Sequence, residues 1–189
     1  YSRRFVNKLW NASRFIHMKA LEWNTDIKLD YEMIKEDIAA NISKLNDFDT
    51  WMLSRVNDLI EQSDNYMSKF MVWEFCQSCM NVAWHDFCDW YIEISKYEKS
   101  EYTDKILLYS LASLLKLLHP YIPFVTEKLW QSLGFEWFIT ISDWPKTMAI
   151  SENKYKIWLL MDVIKEFRTL KNEFDIKSHE KVEVIIQSN

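Results

Sequence analysis

The chain has 189 residues, 49% of them apolar, with 10 Trp, three Pro and a single Gly. So few turn formers exclude an all-β domain, which needs a turn every ~8–12 residues, and leave long helices joined by polar loops. The net charge of −5 argues against a nonspecific nucleic-acid coat. Its distribution is uneven. Residues 1–21 hold Arg3, Arg4, Lys8, Arg14 and Lys19 and no acid, while the rest carries 18 basic and 28 acidic groups, a net of −10. A short cationic element on an acidic body points to a local anionic contact. The size fits one domain, or one domain and the start of another. Three cysteines, an odd number in a long chain, suit a reduced, cytoplasmic protein. No apolar run approaches the ~20 residues of a membrane span, and the opening residues read as helix interior rather than as a signal peptide.

The first predicted helix runs over 2–20. Phe5, Leu9, Ala12 and Ile16 follow at steps of four, three and four and make an apolar stripe. Arg4, Asn7, Asn11 and Arg14 lie on the other side, flanked by Arg3 and Lys8. A polar loop with Trp23, Asn24, Thr25 and Asp26 follows. Tyr31, Ile34 and Ile38 then suit a short helix or turn. Asp47 or Asp49 is placed to cap a helix over 50–64 with Leu53, Val56 and Ile60 inward. The clearest period spans 67–97, where Trp73, Gln77, Met80, Trp84, Phe87, Tyr91 and Ile94 alternate in steps of four and three. That predicts one long helix with this row as its inward seam.

A leucine-rich helix over 102–118 ends at His119-Pro120. Pro123 suits the first turn of a helix over 123–133, and Gly134 suits its end. An extended link through Trp137, Ile139 and Ile141 leads to Trp144-Pro145. Ser151 can cap a last helix over 152–174 with Ile157, Leu160, Ile164, Phe167 and Phe174 inward. Val182, Val184 and Ile186 alternate as a strand would, pairing with 138–142 or belonging to a further domain. The expectation is a mainly α protein. Residues 1–146 form a helical bundle and 147–189 a C-terminal extension with a short β element.

No Gly-rich phosphate loop is available. Cys76, Cys79, His85 and Cys88 offer four soft ligands in thirteen residues, yet all fall on one predicted helix, so buried thiols are expected rather than zinc. Asp86, Asp89 and Glu93 with His85 suggest either a carboxylate–histidine hydrolase or a salt-bridged helix face, and the second is the simpler reading. His17, His119 and His179 are isolated, His119 suiting a helix C-terminus. Lys165, Arg168 and Lys171 share one side of the last helix and are a second candidate for phosphate. No catalytic residue and no metal ligand is expected.

The stretches NKLWNASRF at 7–15 and DFCDWYIEISK at 86–96 resemble the first and central helices of the anticodon-binding domain of valyl-tRNA synthetases. LLKLLHPYIPFVTEKLW at 114–130 resembles a motif shared with the isoleucine and leucine enzymes. Trp144-Pro145 resembles the usual close of that domain, and Val163 through Arg168 to Val182 and Val184 resembles the helix and strand that follow it. FIHM at 15–18 and a Glu-rich insertion near 32–37 depart from the pattern. The resemblance implies a fragment of an ATP-using tRNA ligase. The catalytic and editing domains lie elsewhere in the polypeptide, so the fragment itself needs no cofactor. Its expected partners are valine tRNA, through the anticodon loop, and the catalytic body, with no membrane.

Holding a tRNA loop requires cations for its phosphates and flat or amide groups for splayed bases. Arg3, Arg4, Lys8 and Arg14 suit the first task, Asn7 and Asn11 the second, and Trp23 can act as a stacking platform. Each has a competing structural role. Asn11 can bond within the bundle, Trp23 can pack on the core, and Arg14 can pair with Asp86 or Asp89. Trp73 and Trp84 are expected in the core, and Trp10 is undecided. The alternatives to a valine ligase are an isoleucine or leucine ligase domain, or a helical protein-interaction module.

Overall fold

The computed structural model describes residues 2–20, 29–150, 154–177 and 180. They fall in two compact units, Tyr1–Asn153 and Lys154–Asn189. The first is a helical bundle. Its elements are α1 (Ser2–Ala20), α2 (Tyr31–Ala40), α3 (Asp47–Ser68), α4 (Val72–Asn81), a π-helical segment (Val82–Tyr91), α5 (Ile92–Ile94), α6 (Thr103–Leu118) and α7 (Pro123–Leu133). Short 3₁₀ turns lie at Ile42–Lys44 and Ile139–Ile141. The second unit contains α8 (Lys154–Glu173). The mainly helical architecture agrees with the sequence. Ser151, His179 and the candidate strand 182–186 lie outside the described residues.

The core is organised around α6. Every residue from Ile106 to Leu118 is buried, so this helix must be covered on all sides. It packs against α1, α2, α3, α4, α7 and the π segment. Even Lys116 is enclosed, its Nζ 4.1 Å from the Tyr31 ring centroid. It donates a 2.9 Å hydrogen bond to the carbonyl of Asp143. That bond helps hold the segment after α7, whose continuation lies along α3. There the Trp144 indole donates to Ser63 Oγ at 3.1 Å. The Asn57 amide brackets the Met148 backbone, donating at 2.7 Å and accepting at 3.0 Å.

Asn46, rather than Asp47 or Asp49, caps α3. Its side chain accepts from the Asp49 amide at 2.8 Å, and Asp49 takes the reciprocal place of a capping box. Asp49 is buried and is also the acceptor for Tyr91 at 2.6 Å, Ser100 at 2.5 Å and Thr103 at 3.0 Å. One carboxylate thus ties α3 to the π segment and to the start of α6. Gly134 ends α7 with φ of 91°, as its position predicts.

Four further expectations are corrected. The single helix over 67–97 is not continuous: α3 runs on to Ser68, and α4 restarts at Val72 after a break in which Phe70 has φ of 57°. The seam is also out of phase in its first half. Phe75, Cys76, Cys79, Val82 and Ala83 face inward, while Gln77 and Trp73 are exposed, Trp73 by 67%. Further on, Phe87 and Tyr91 are buried as expected and Ile94 is half-buried, because the wider π turn resets the phase. Ile139–Ile141 forms a helical turn, not an extended edge, so it offers no strand for pairing. Leu160 on α8 and Phe174 just beyond it are exposed rather than inward.

Asp49→Ala leaves three buried or half-buried hydroxyls without their acceptor and is expected to lower stability by ~2–4 kcal/mol, read from urea unfolding. Tyr91→Phe removes one of these bonds and is expected to lower it by ~1 kcal/mol.

Alkaline pH should weaken the fold. Burial pushes the Cys88 thiol from its ordinary 9.0 up to about 12, and raises Cys79 further. Burial likewise raises Tyr31 and Tyr91 well above 10.0. The unfolded chain loses these protons first, so stability is intact below about pH 9 and falls as pH rises beyond it. Lys116, lowered by burial, acts in the opposite sense but is one group against several. The urea midpoint is expected to be flat from about pH 7 to 8.5 and to fall by about pH 10.5.

Candidate nucleic-acid interface

α1 is two-sided. Phe5, Leu9, Ala12 and Ile16 are buried as their spacing predicts, against α6, α7 and the π segment. Arg3, Arg4, Asn7, Asn11 and Arg14 are exposed on the opposite side. Among the described residues, no hydrogen bond or ion pair engages their side chains. The helix contains no acidic residue. Three guanidinium groups and two amides therefore share one outward face along about three turns. Guanidinium forks fit phosphate bidentately and stack on flat rings, and amides present donor and acceptor together.

Lys8 differs from the arginines. It forms an ion pair with Asp89 of the π segment and lies 4.6 Å from the centroid of the Trp84 ring. Asp89 is shared with His85, whose Nδ1 is 3.2 Å away. Lys8 is half-buried and occupied, at the edge of the face rather than within it. Lys19 is similarly held by Asp104 at 2.7 Å.

The predicted competition for Arg14 does not arise within the bundle. Asp86 accepts from Arg55 Nε at 2.8 Å, and Arg55 also meets Asp58 at 2.8 Å. Glu93 pairs with Lys96 at 2.7 Å. The carboxylate row is thus a salt-bridged helix face, partly meeting bases on α1 and α3. Asn11 is exposed rather than bonded inside. Trp84 is half-buried, stacked on Phe5 with ring centroids 6.2 Å apart. Trp23 lies outside the described residues.

Trp10, left open by the sequence, is 40% exposed on the cationic side. Its spacing was the available signal: it stands three residues after Asn7 and four before Arg14. The indole adds a flat surface beside guanidinium groups.

Cys76 and Cys79 are buried thiols and Cys88 a half-buried one. Among the described residues, no three His, Cys, Asp or Glu side chains gather as a metal site. His119 stands at the end of α6, but its ring serves elsewhere: Nδ1 is 2.8 Å from Thr126 Oγ1 and Nε2 is 3.3 Å from Thr140 Oγ1. On α8, Lys165 pairs with Asp162 at 3.1 Å, and Lys171 donates to the Glu180 carbonyl at 2.8 Å. Among the described residues, no helix is long and apolar enough to cross a membrane.

Comparison with known proteins agrees with this architecture. Residues 49–186 match the family described as the anticodon-binding domain of tRNA ligase. The chain is 38% identical to the valine–tRNA ligases of Bacillus cereus and Bacillus anthracis and 33% identical to that of Staphylococcus aureus. In each case the match covers 97% of this chain, and so most of α1, but only 21% of the relative. The chain thus spans about a fifth of the length of these relatives. The helical bundle, the family match over most of its length and the near-complete alignment lead to one assignment: the chain belongs to the anticodon-binding domain family of tRNA ligases.

Proposed function

We propose that this chain is the anticodon-binding part of a valine–tRNA ligase and grips the anticodon loop of valine tRNA with the outward face of α1. The observation that carries this is the acid-free row of Arg3, Arg4, Asn7, Asn11 and Arg14, exposed on a helix whose other side is anchored in the core. In this reading residues 1–146 form the anticodon-binding bundle and 147–189 its C-terminal extension. Valine attachment with ATP belongs to a catalytic body in the same polypeptide, and the whole works in the cytoplasm without a membrane partner. The chain's own task is binding, with no catalytic residue, metal or cofactor.

The chemistry follows from what an anticodon loop presents. The arginines neutralise loop phosphates, and Lys8 contributes at the edge of the face. Valine anticodons share adenine at the middle place and cytosine at the third, as the genetic code requires. The Asn7 and Asn11 amides suit an adenine edge, which offers one donor and one acceptor. Trp23 supplies a stacking platform, and Trp10 adds flat surface. Identity to valine ligases over nearly the whole chain supports the choice of tRNA.

Titration of valine tRNA into the chain is expected to show affinity that falls steeply with salt. Arg14→Ala or Arg4→Ala should weaken binding several-fold and reduce the salt slope by ~0.7 for each single-stranded phosphate that is no longer neutralised. Unchanged binding across all the α1 variants would sink the assignment of this face.

Base reading has a separate signature. Asn11→Ala should narrow the preference for adenine over other middle bases by ~1–3 kcal/mol without altering the salt slope. Asp89→Asn releases Lys8 from its ion pair and should strengthen binding modestly, whereas Lys8→Ala should weaken it less than Arg14→Ala does.

A further inference from the structure

Four consecutive apolar residues, Phe70, Met71, Val72 and Trp73, stand exposed at the break between α3 and α4. Phe70 is 89% exposed, and its backbone is left-handed, a strained conformation for a bulky residue. An exposed run of this kind is unfavourable in water and signals a contact. Trp73 also forms one wall of a groove of about 600 Å³. Phe5 and Val6 of α1, Gln77 and Met80 of α4, and Tyr121 and Ile122 beyond α6 form much of the rest. Phe124, two residues further on, is 90% exposed. Among the described residues, the groove is lined by no Asp, Glu, Lys or Arg.

That lining decides the class of occupant. A nucleic acid brings a phosphate charge with every nucleotide and needs cations to meet it. The cations lie on the other side of α1, opposite the stripe to which Phe5 belongs. Aromatic and Met side chains around an uncharged hollow are instead the composition of a protein interface core. A ligase like the matched relatives holds about four-fifths of its chain outside the region matched here. That remainder must carry the reacting centre and must be held in register with the anticodon site.

We propose that the 70–73 ledge and the adjoining groove seat an uncharged, apolar element of the catalytic body of the same ligase polypeptide. This rests on the ligase reading above. It assigns the two sides of α1 to two partners: protein at the groove and RNA at the arginines. Both can then be engaged at once.

The test is hydroxyl-radical footprinting of the full-length ligase, read by mass spectrometry at Met71 and Trp73, with Trp10 and Met18 as internal references. Without tRNA, Met71 and Trp73 are expected to react at least ten-fold more slowly than their intrinsic rates. Trp10 and Met18 should react freely until valine tRNA is added. Trp73→Glu, at an exposed position, should restore labelling at Met71. Labelling of Trp73 in the tRNA-free ligase overturns the proposal. Protection that arrives only with tRNA overturns it in favour of RNA, and protection that disappears on dilution overturns it in favour of a second copy. If tRNA protects neither Trp10 nor Met18 while the ledge stays covered, the RNA reading of α1 fails and the seat stands.

Discussion

The constraint on which the bundle depends is α6, a leucine-rich helix buried around its whole circumference from Ile106 to Leu118. Such a helix is stable only when surrounded, so α1, α2, α3, α4, α7 and the π segment must all present an apolar stripe to it. Each of those helices is thereby oriented, because burying one stripe dictates what the opposite side shows to solvent. The outward arginines of α1 follow from the burial of Phe5, Leu9, Ala12 and Ile16. The lysine at the centre, Lys116, is accommodated between aromatic rings and a carbonyl rather than expelled.

Charge is distributed by the same geometry. The acidic excess is not spread evenly against the basic helix. Asp86 and Asp89 meet Arg55 and Lys8, and Asp104 meets Lys19, so these acids are occupied by bases on α3 and at the edges of α1. The arginines at the centre of the outward face have no such partner among the described residues. An acidic protein can present a cationic strip in this way.

Much of this was legible in the chain before folding. The stripe of α1, the bounds of α7 between Pro123 and Gly134, and the leucine-rich α6 all emerge from spacing and from residues with restricted backbones. Other features were not legible. Nothing in the local sequence marks the break at Phe70, since the left-handed turn carries no Gly or Asn. The seam from Trp73 to Trp84 misled because steps of four and three imply an unbroken α-helix, whereas the π segment changes the number of residues per turn. Asn46 was overlooked as a cap because two aspartates stood closer to the expected helix start.

The sequence by itself determined that the protein is helical, where α1, α6 and α7 end, and that one helix has greasy and cationic sides back to back. These are local properties, set by periodicity and by backbone restriction. Tertiary structure decided which cations are spent within the fold and which remain outward, and which half of the aromatic row turns inward. It also collected Trp73, Val6 and Ile122 around one uncharged groove. Those outcomes depend on which helix lies beside which, and side chains separated by tens of residues along the chain become neighbours only through packing.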